Sequence, residues 1–96
     1  MAQRRQGTEC VRDVVLRNPA GLHARPAATF VDQASKFQSD VILFKDGREA
    51  NGKSIIDLLA LGAERGARVT LIVRGPDAPT ALEALLALLE SDRDET

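Results

Sequence analysis

Tryptophan and tyrosine are absent from this 96-residue chain, and cysteine, histidine and methionine occur once each. A lone Cys10 excludes an intrachain disulfide and a thiolate metal cage, and it is read as a half-buried residue at the start of a strand. A lone His23 excludes a metal site built from several imidazoles and leaves no Ser-His-Asp set in view. The charges nearly balance, with 13 Lys and Arg against 14 Asp and Glu for a formal net charge of −1, and only three Phe are available for stacking. That balance argues against nucleic-acid binding, which calls for a basic face and stacking aromatics. No apolar run is long enough to cross a bilayer, and the Arg4-Arg5 pair has no apolar stretch behind it to make a secretory signal. The expectation is a cytoplasmic chain with no membrane insertion. No glycine-rich nucleotide loop is present, and neither a cofactor nor a metal is called for.

What is present is 44% hydrophobic content, mostly Ala, Val, Leu and Ile, in a length that allows one modest core. Three segments are expected: a solvated N-terminal extension over 1–9, one domain over 10–90, and an acidic tail over 91–96. Strand-like alternation runs from Val11 to Arg17, with Val14 and Leu16 on one face. Helical spacing follows from Ala24 to Lys36, carried by Ala27, Phe30, Val31, Ala34 and Phe37. A second strand over 39–45 ends at Asp46-Gly47, the strongest hairpin signal in the sequence, and residues 48–51 return from it. A short helix begins after Ser54 and stops at Gly62 and Gly66. Val69, Leu71 and Val73 mark a last strand, and Asp77 is placed as the N-cap of a helix carrying Leu82, Leu85, Leu86 and Leu89. The order β-α-β-β-α-β-α, with two crossovers around a hairpin, predicts an α+β, two-layer sandwich with helices on one face of the sheet.

The most informative stretch is Asn18-Pro19-Ala20-Gly21-Leu22-His23-Ala24-Arg25-Pro26-Ala27. Pro19 and Gly21 punctuate the end of a strand, and Pro26 suits a first helical turn, so His23 falls where a turn hands over to a helix. The backbone N–H groups of Ala24 and Arg25 lack intrahelical partners there, and the aligned peptide dipoles attract negative charge. Such an edge is an anion site. The dipole supplies about 0.3–1 kcal/mol when exposed, so charge-assisted hydrogen bonds from Arg25 and the N–H groups must add to it. A neutral imidazole beside bound phosphate is the nucleophile that phosphoryl transfer requires.

The complete run Gly21-Leu22-His23-Ala24-Arg25-Pro26 resembles the signature of HPr, the histidine-containing phosphocarrier of the bacterial phosphoenolpyruvate:sugar phosphotransferase system. The resemblance extends from about Val11 to Leu89 and includes a weaker block at Gly52-Lys53-Ser54-Ile55. It implies a four-stranded antiparallel sheet in the order 1-4-2-3 with three helices on one side. It also implies that His23 accepts a phosphoryl group on Nδ1, with Arg25 as charge partner and Ala24 lending its N–H. Enzyme I would be the donor and sugar-specific IIA proteins the recipients, with an HPr serine kinase/phosphorylase acting on Ser54. The chain itself would be a carrier and not an enzyme, working as a monomer.

The partner-docking surface is expected at Ala20, Leu22, Ile55, Ile56 and Leu59, rimmed by Thr29, Lys36 and Lys53. Periodicity leaves open which of Ile55, Leu58 and Leu59 faces outward. Ser54 serves two readings equally, as a helix cap in a capping box with Asp57 and as a phosphorylation site. Asp57 departs from the small residue the family usually has, and its carboxylate would repel a phosphoserine. Two other functions compete. One is a regulatory paralogue, of the nitrogen branch or serving a dihydroxyacetone kinase, slightly favoured by Gly66-Ala67-Arg68 and the acidic tail but opposed by Lys53-Ser54-Ile55. The other is an interaction module in which His23 is inert.

Overall fold

Alternating burial along β-strands, most regular in the central two, sets the architecture. A computed structural model describes residues 8–91. The elements in chain order are β1 (Thr8–Val15), α1 (Ala24–Ala34), β2 (Asp40–Lys45), β3 (Arg48–Asn51), α2 (Ile55–Leu61), β4 (Arg68–Gly75) and α3 (Ala78–Glu90). The sheet order is β1-β4-β2-β3 and every pairing is antiparallel. Val14, Val41, Leu43, Ala50, Val69, Leu71 and Val73 point into the core, while Val11, Val15 and Phe44 alternate to the exposed face. The helices therefore cover one side only. The fold class and strand order agree with the sequence reading.

The β2–β3 turn follows from local chemistry. Asp46 and Gly47 both take positive φ, 51° and 80°, as a two-residue turn between right-twisted strands requires. Helix α2 is delimited the same way. Ser54 accepts from the Asp57 N–H at 3.2 Å, and Gly62 ends the helix in the left-handed conformation.

Several boundaries differ from the sequence reading. Strand β1 starts at Thr8, inside the segment read as an extension, and Glu9 pairs with Arg74 across the sheet at 2.7 Å. Residues 1–7 of that extension and 92–96 of the acidic tail lie outside the described residues. The same strand ends at Val15; Leu16 and Arg17 instead send their N–H groups to the carbonyls of Ala67 and Leu89. Helix α1 stops at Ala34, because Lys36 and Phe37 bond three residues back and tighten the last turn. Leu86, placed on the buried stripe of α3 from spacing, is only half-buried, and Ala78 and Ala81 fill that face instead.

Asp77 occupies the N-cap position of α3 but makes no side-chain cap bond. Its carboxylate instead accepts from the Gln38 N–H at 2.9 Å, the Ser39 N–H at 3.0 Å and the Ser39 hydroxyl at 2.5 Å. The hydroxyl bond first, then the bond from Gln38, hold the Asp77 carboxyl below the ordinary carboxylate range, against the opposing effect of desolvation. This clamp fastens the entrance of β2 to the start of α3.

Candidate functional site

His23 is the N-cap of α1, with φ −84° and ψ −170°, and its side chain makes no capping bond. The imidazole is exposed. The first intrahelical bond runs from the Ala27 N–H to the His23 carbonyl at 2.8 Å. The N–H groups of Ala24 and Arg25 thus precede the helical ladder, and Pro26 has none to offer. No acidic residue lies in the first turn of α1 to compete with an anion, and Ala24 and Arg25 are both exposed.

The chain reaches this helix through a fixed turn. The Asn18 side-chain oxygen accepts from the Ala20 N–H at 2.9 Å, and its carbonyl accepts from the Gly21 N–H at 2.9 Å. Gly21 takes φ +62° and lies so close to the backbone of Ala63 and Glu64 that a Cβ would come within 2.7 Å of both. The Leu22 N–H then donates to the Ala63 carbonyl at 2.9 Å. Ala63 follows α2 by two residues, so the loop carrying His23 and the loop leaving α2 are bonded directly.

Helix α2 resolves the ambiguity left by spacing. Leu58 is fully buried, whereas Ile55, Ile56 and Leu59 are 37%, 75% and 43% exposed. Three large aliphatic side chains on seven residues of helix form an outward apolar face. Ala20, in the loop before His23, is half-buried.

Three expected docking residues are placed differently. Leu22 is 5% exposed and packs in the core, because the bond to Ala63 turns its backbone inward. Thr29 is half-buried and lines a crevice between α1 and α3 with Pro26, Phe30, Leu88 and Leu89, which has room for about one water molecule. Pro26 and Thr29 share one flank of α1 at helical spacing, away from the side carrying Ala24 and Ala28. Lys53 is not a free rim charge, since its ammonium donates to the Phe37 carbonyl at 2.8 Å. Lys36 is exposed as expected.

At Ser54 only half of the expected capping box forms. The Asp57 N–H reaches the Ser54 hydroxyl, but the Asp57 carboxylate accepts from the Asn51 N–H at 3.0 Å, and the Ser54 N–H goes to the Asn51 carbonyl. Among the described residues no cluster of His, Cys, Asp and Glu is arranged to hold a metal ion. No helix among them is long and apolar enough to cross a membrane.

Residues 10–91 match the family described as PTS-HPr, PTS HPr component phosphorylation site. The HPr-like protein Crh of Bacillus subtilis is 48% identical over 79 residues, covering 82% of this chain and 93% of that protein. The crystal structure of a phosphocarrier protein HPr from Bacillus anthracis superposes with a TM-score of 0.84 at 38% identity, over 88% of this chain and all of that one. The crystal structure of Bacillus subtilis Crh, described as a catabolite repression protein forming a dimer with a swapped domain, has a TM-score of 0.69 at 45% identity, over 93% of each chain.

Proposed function

Since the chain belongs to the HPr family of phosphocarrier proteins, we propose that His23 accepts a phosphoryl group from phosphorylated enzyme I and passes it to sugar-specific IIA proteins. One observation carries this reading: the complete Gly21-to-Pro26 signature coincides with an exposed imidazole, uncommitted to capping, at the start of an 11-residue helix.

The lone pair of Nδ1 forms the new N–P bond while the donor's bond to phosphorus breaks and its electron pair leaves with the donor. The N–H groups of Ala24 and Arg25, the helix dipole and the Arg25 guanidinium stabilise the charge on the phosphoryl oxygens. Ile55, Ile56 and Leu59 supply the apolar centre of the docking face, and Ala20 contributes to it from the loop before His23. A carrier must leave each partner after transfer, so this face binds modestly, and the protein acts in the cytoplasm as a monomer between encounters. Ser54 is the regulatory site, open to an HPr serine kinase/phosphorylase. Its hydroxyl sits at the positive end of α2, which favours the added phosphate, while Asp57 opposes it.

The likeness to Crh favours a second reading, in which a regulatory role through Ser54 outweighs sugar transfer. The two are separated by intact-mass spectrometry after incubation with enzyme I, Mg²⁺ and phosphoenolpyruvate, beside His23→Ala. One acid-labile phosphate on the wild type and none on the variant supports the carrier. No phosphate on a folded wild type with a competent enzyme I overturns it and leaves the regulatory reading.

A further inference from the structure

Asn18 and Ser39 are the two buried polar residues among those described. A buried polar side chain is costly unless its hydrogen bonds are made, so each has a use that can be traced. Ser39 is spent on the Asp77 clamp, remote in sequence from His23. Asn18 is spent on the turn that leads into His23. Resting on the carrier reading above, we propose that Asn18 is a positioning residue for phosphoryl transfer, holding His23 in place through the backbone of residues 20–22.

Asn18 is only 7% exposed and shares its surroundings with Leu16, Leu22, Pro26, Phe30 and Leu89. In that apolar setting a side-chain oxygen has few partners, and the Ala20 N–H at 2.9 Å is one of them. The Asn18 carbonyl takes the next N–H, that of Gly21, and the Ala63 carbonyl takes the one after, that of Leu22. Three successive backbone donors are therefore committed before His23, and two of them end on Asn18. The imidazole begins where this anchoring stops. Its position relative to the N–H groups of Ala24 and Arg25 depends on the turn, because His23 makes no capping bond that would fix it independently.

Displacement of a reacting group by about 1 Å can cost ~10²-fold in rate. Asn18→Leu keeps an apolar filling of similar size but removes the side-chain acceptor, and a 10- to 100-fold fall in the rate of transfer onto His23 is expected. KM for the chain as acceptor from phosphorylated enzyme I should stay within twofold, since Ile55, Ile56 and Leu59 are untouched. Asn18→Ser restores an oxygen that makes the same kind of turn more weakly, and should recover a substantial part of the lost rate.

The experiment is steady-state transfer from enzyme I to wild type, Asn18→Leu and Asn18→Ser, with urea midpoints recorded for all three. A slow Asn18→Leu with unchanged KM and a partly rescued Asn18→Ser supports the positioning role. A normal rate in Asn18→Leu, a loss confined to KM, or a serine variant as slow as the leucine one overturns it while the carrier reading stands. If Asn18→Leu does not fold, the serine variant alone decides: a wild-type rate, or a loss seen only in KM, overturns the role. Wild type that takes no phosphate overturns the carrier reading, and the positioning role falls with it.

Discussion

Gly21 and Gly62 have nearly the same φ, +62° and +68°, but different surroundings, and the pair separates backbone strain from contact. Replacing either by Ala puts an L residue in the left-handed region, which costs about 1–2 kcal/mol. At Gly62 nothing lies within 4 Å of the new Cβ, so that is the whole effect. At Gly21 the Cβ would lie 2.7 Å from the Ala63 oxygen and the Glu64 Cα and 3.0 Å from the Arg65 nitrogen, all backbone atoms. The two loops must separate, and the Leu22-to-Ala63 hydrogen bond, worth about 0.5–1.5 kcal/mol net, is stretched or lost. Gly21→Ala is therefore expected to lose about 2–3 kcal/mol in all, or roughly 10–20 °C in Tm for a domain of this size. With neither Trp nor Tyr to report by fluorescence, urea unfolding is followed by far-ultraviolet circular dichroism. A difference of about 1 kcal/mol between the variants moves the midpoint by ~0.3–1 M. Equal midpoints for Gly21→Ala and Gly62→Ala would refute the contact between the His23 loop and the end of α2 as a source of stability.

Three further outcomes are expected. Leu58→Ala should cost about 2–5 kcal/mol, while Ile56→Ala, at a site 75% exposed, stays within about 0.5 kcal/mol yet weakens enzyme I binding by calorimetry; a reversed order would mean that α2 is rotated. Asp77→Ala should lower stability by a constant margin from pH 5 to 8. Because the folded Asp77 carboxyl titrates below its unfolded value of ~3.9, the clamp is fully present above that value and is lost as pH falls through the folded one. The gap should therefore narrow below about pH 4, and a gap that persists there would contradict the clamp. Asp57→Gly should raise the rate at which a serine kinase modifies Ser54, and an unchanged or lower rate would clear the carboxylate of an inhibitory role.

Elements set by neighbours in sequence were legible, and those set by distant partners were not. Asp46-Gly47 announces its turn because both residues tolerate positive φ, and Ser54 and Gly62 bracket α2 by their own chemistry. Strand order came from the resemblance, since alternation says which face is buried but not which strand lies alongside. Asp77 reads as a cap from its position, but its carboxylate is drawn to Gln38 and Ser39, nearly forty residues earlier. Leu22 lies in a turn with no period to show that it points inward. Leu58 could not be told from its neighbours because seven residues of helix give too few turns to define a stripe. At the site itself, His23 and Arg25 stand out by motif, whereas the Ala63 carbonyl that anchors their loop is a backbone atom with no signature in sequence.

The strand order also bears on how the molecule forms. β4 lies between β1 and β2 and, among the described residues, is the only strand linking β1 to the rest of the sheet. Thr8 finds its partner in Gly75, so β1 has no strand beside it until β4 has been made. During synthesis, the β2–β3 hairpin can appear early, but the other edge of β2 stays open until β4 pairs with it. Assembly of such non-local pairings is slow for a chain this short, and it concentrates the commitment to the native state in residues 68–75. Substitutions in that segment should be felt as lost yield in the cell sooner than as altered chemistry at His23.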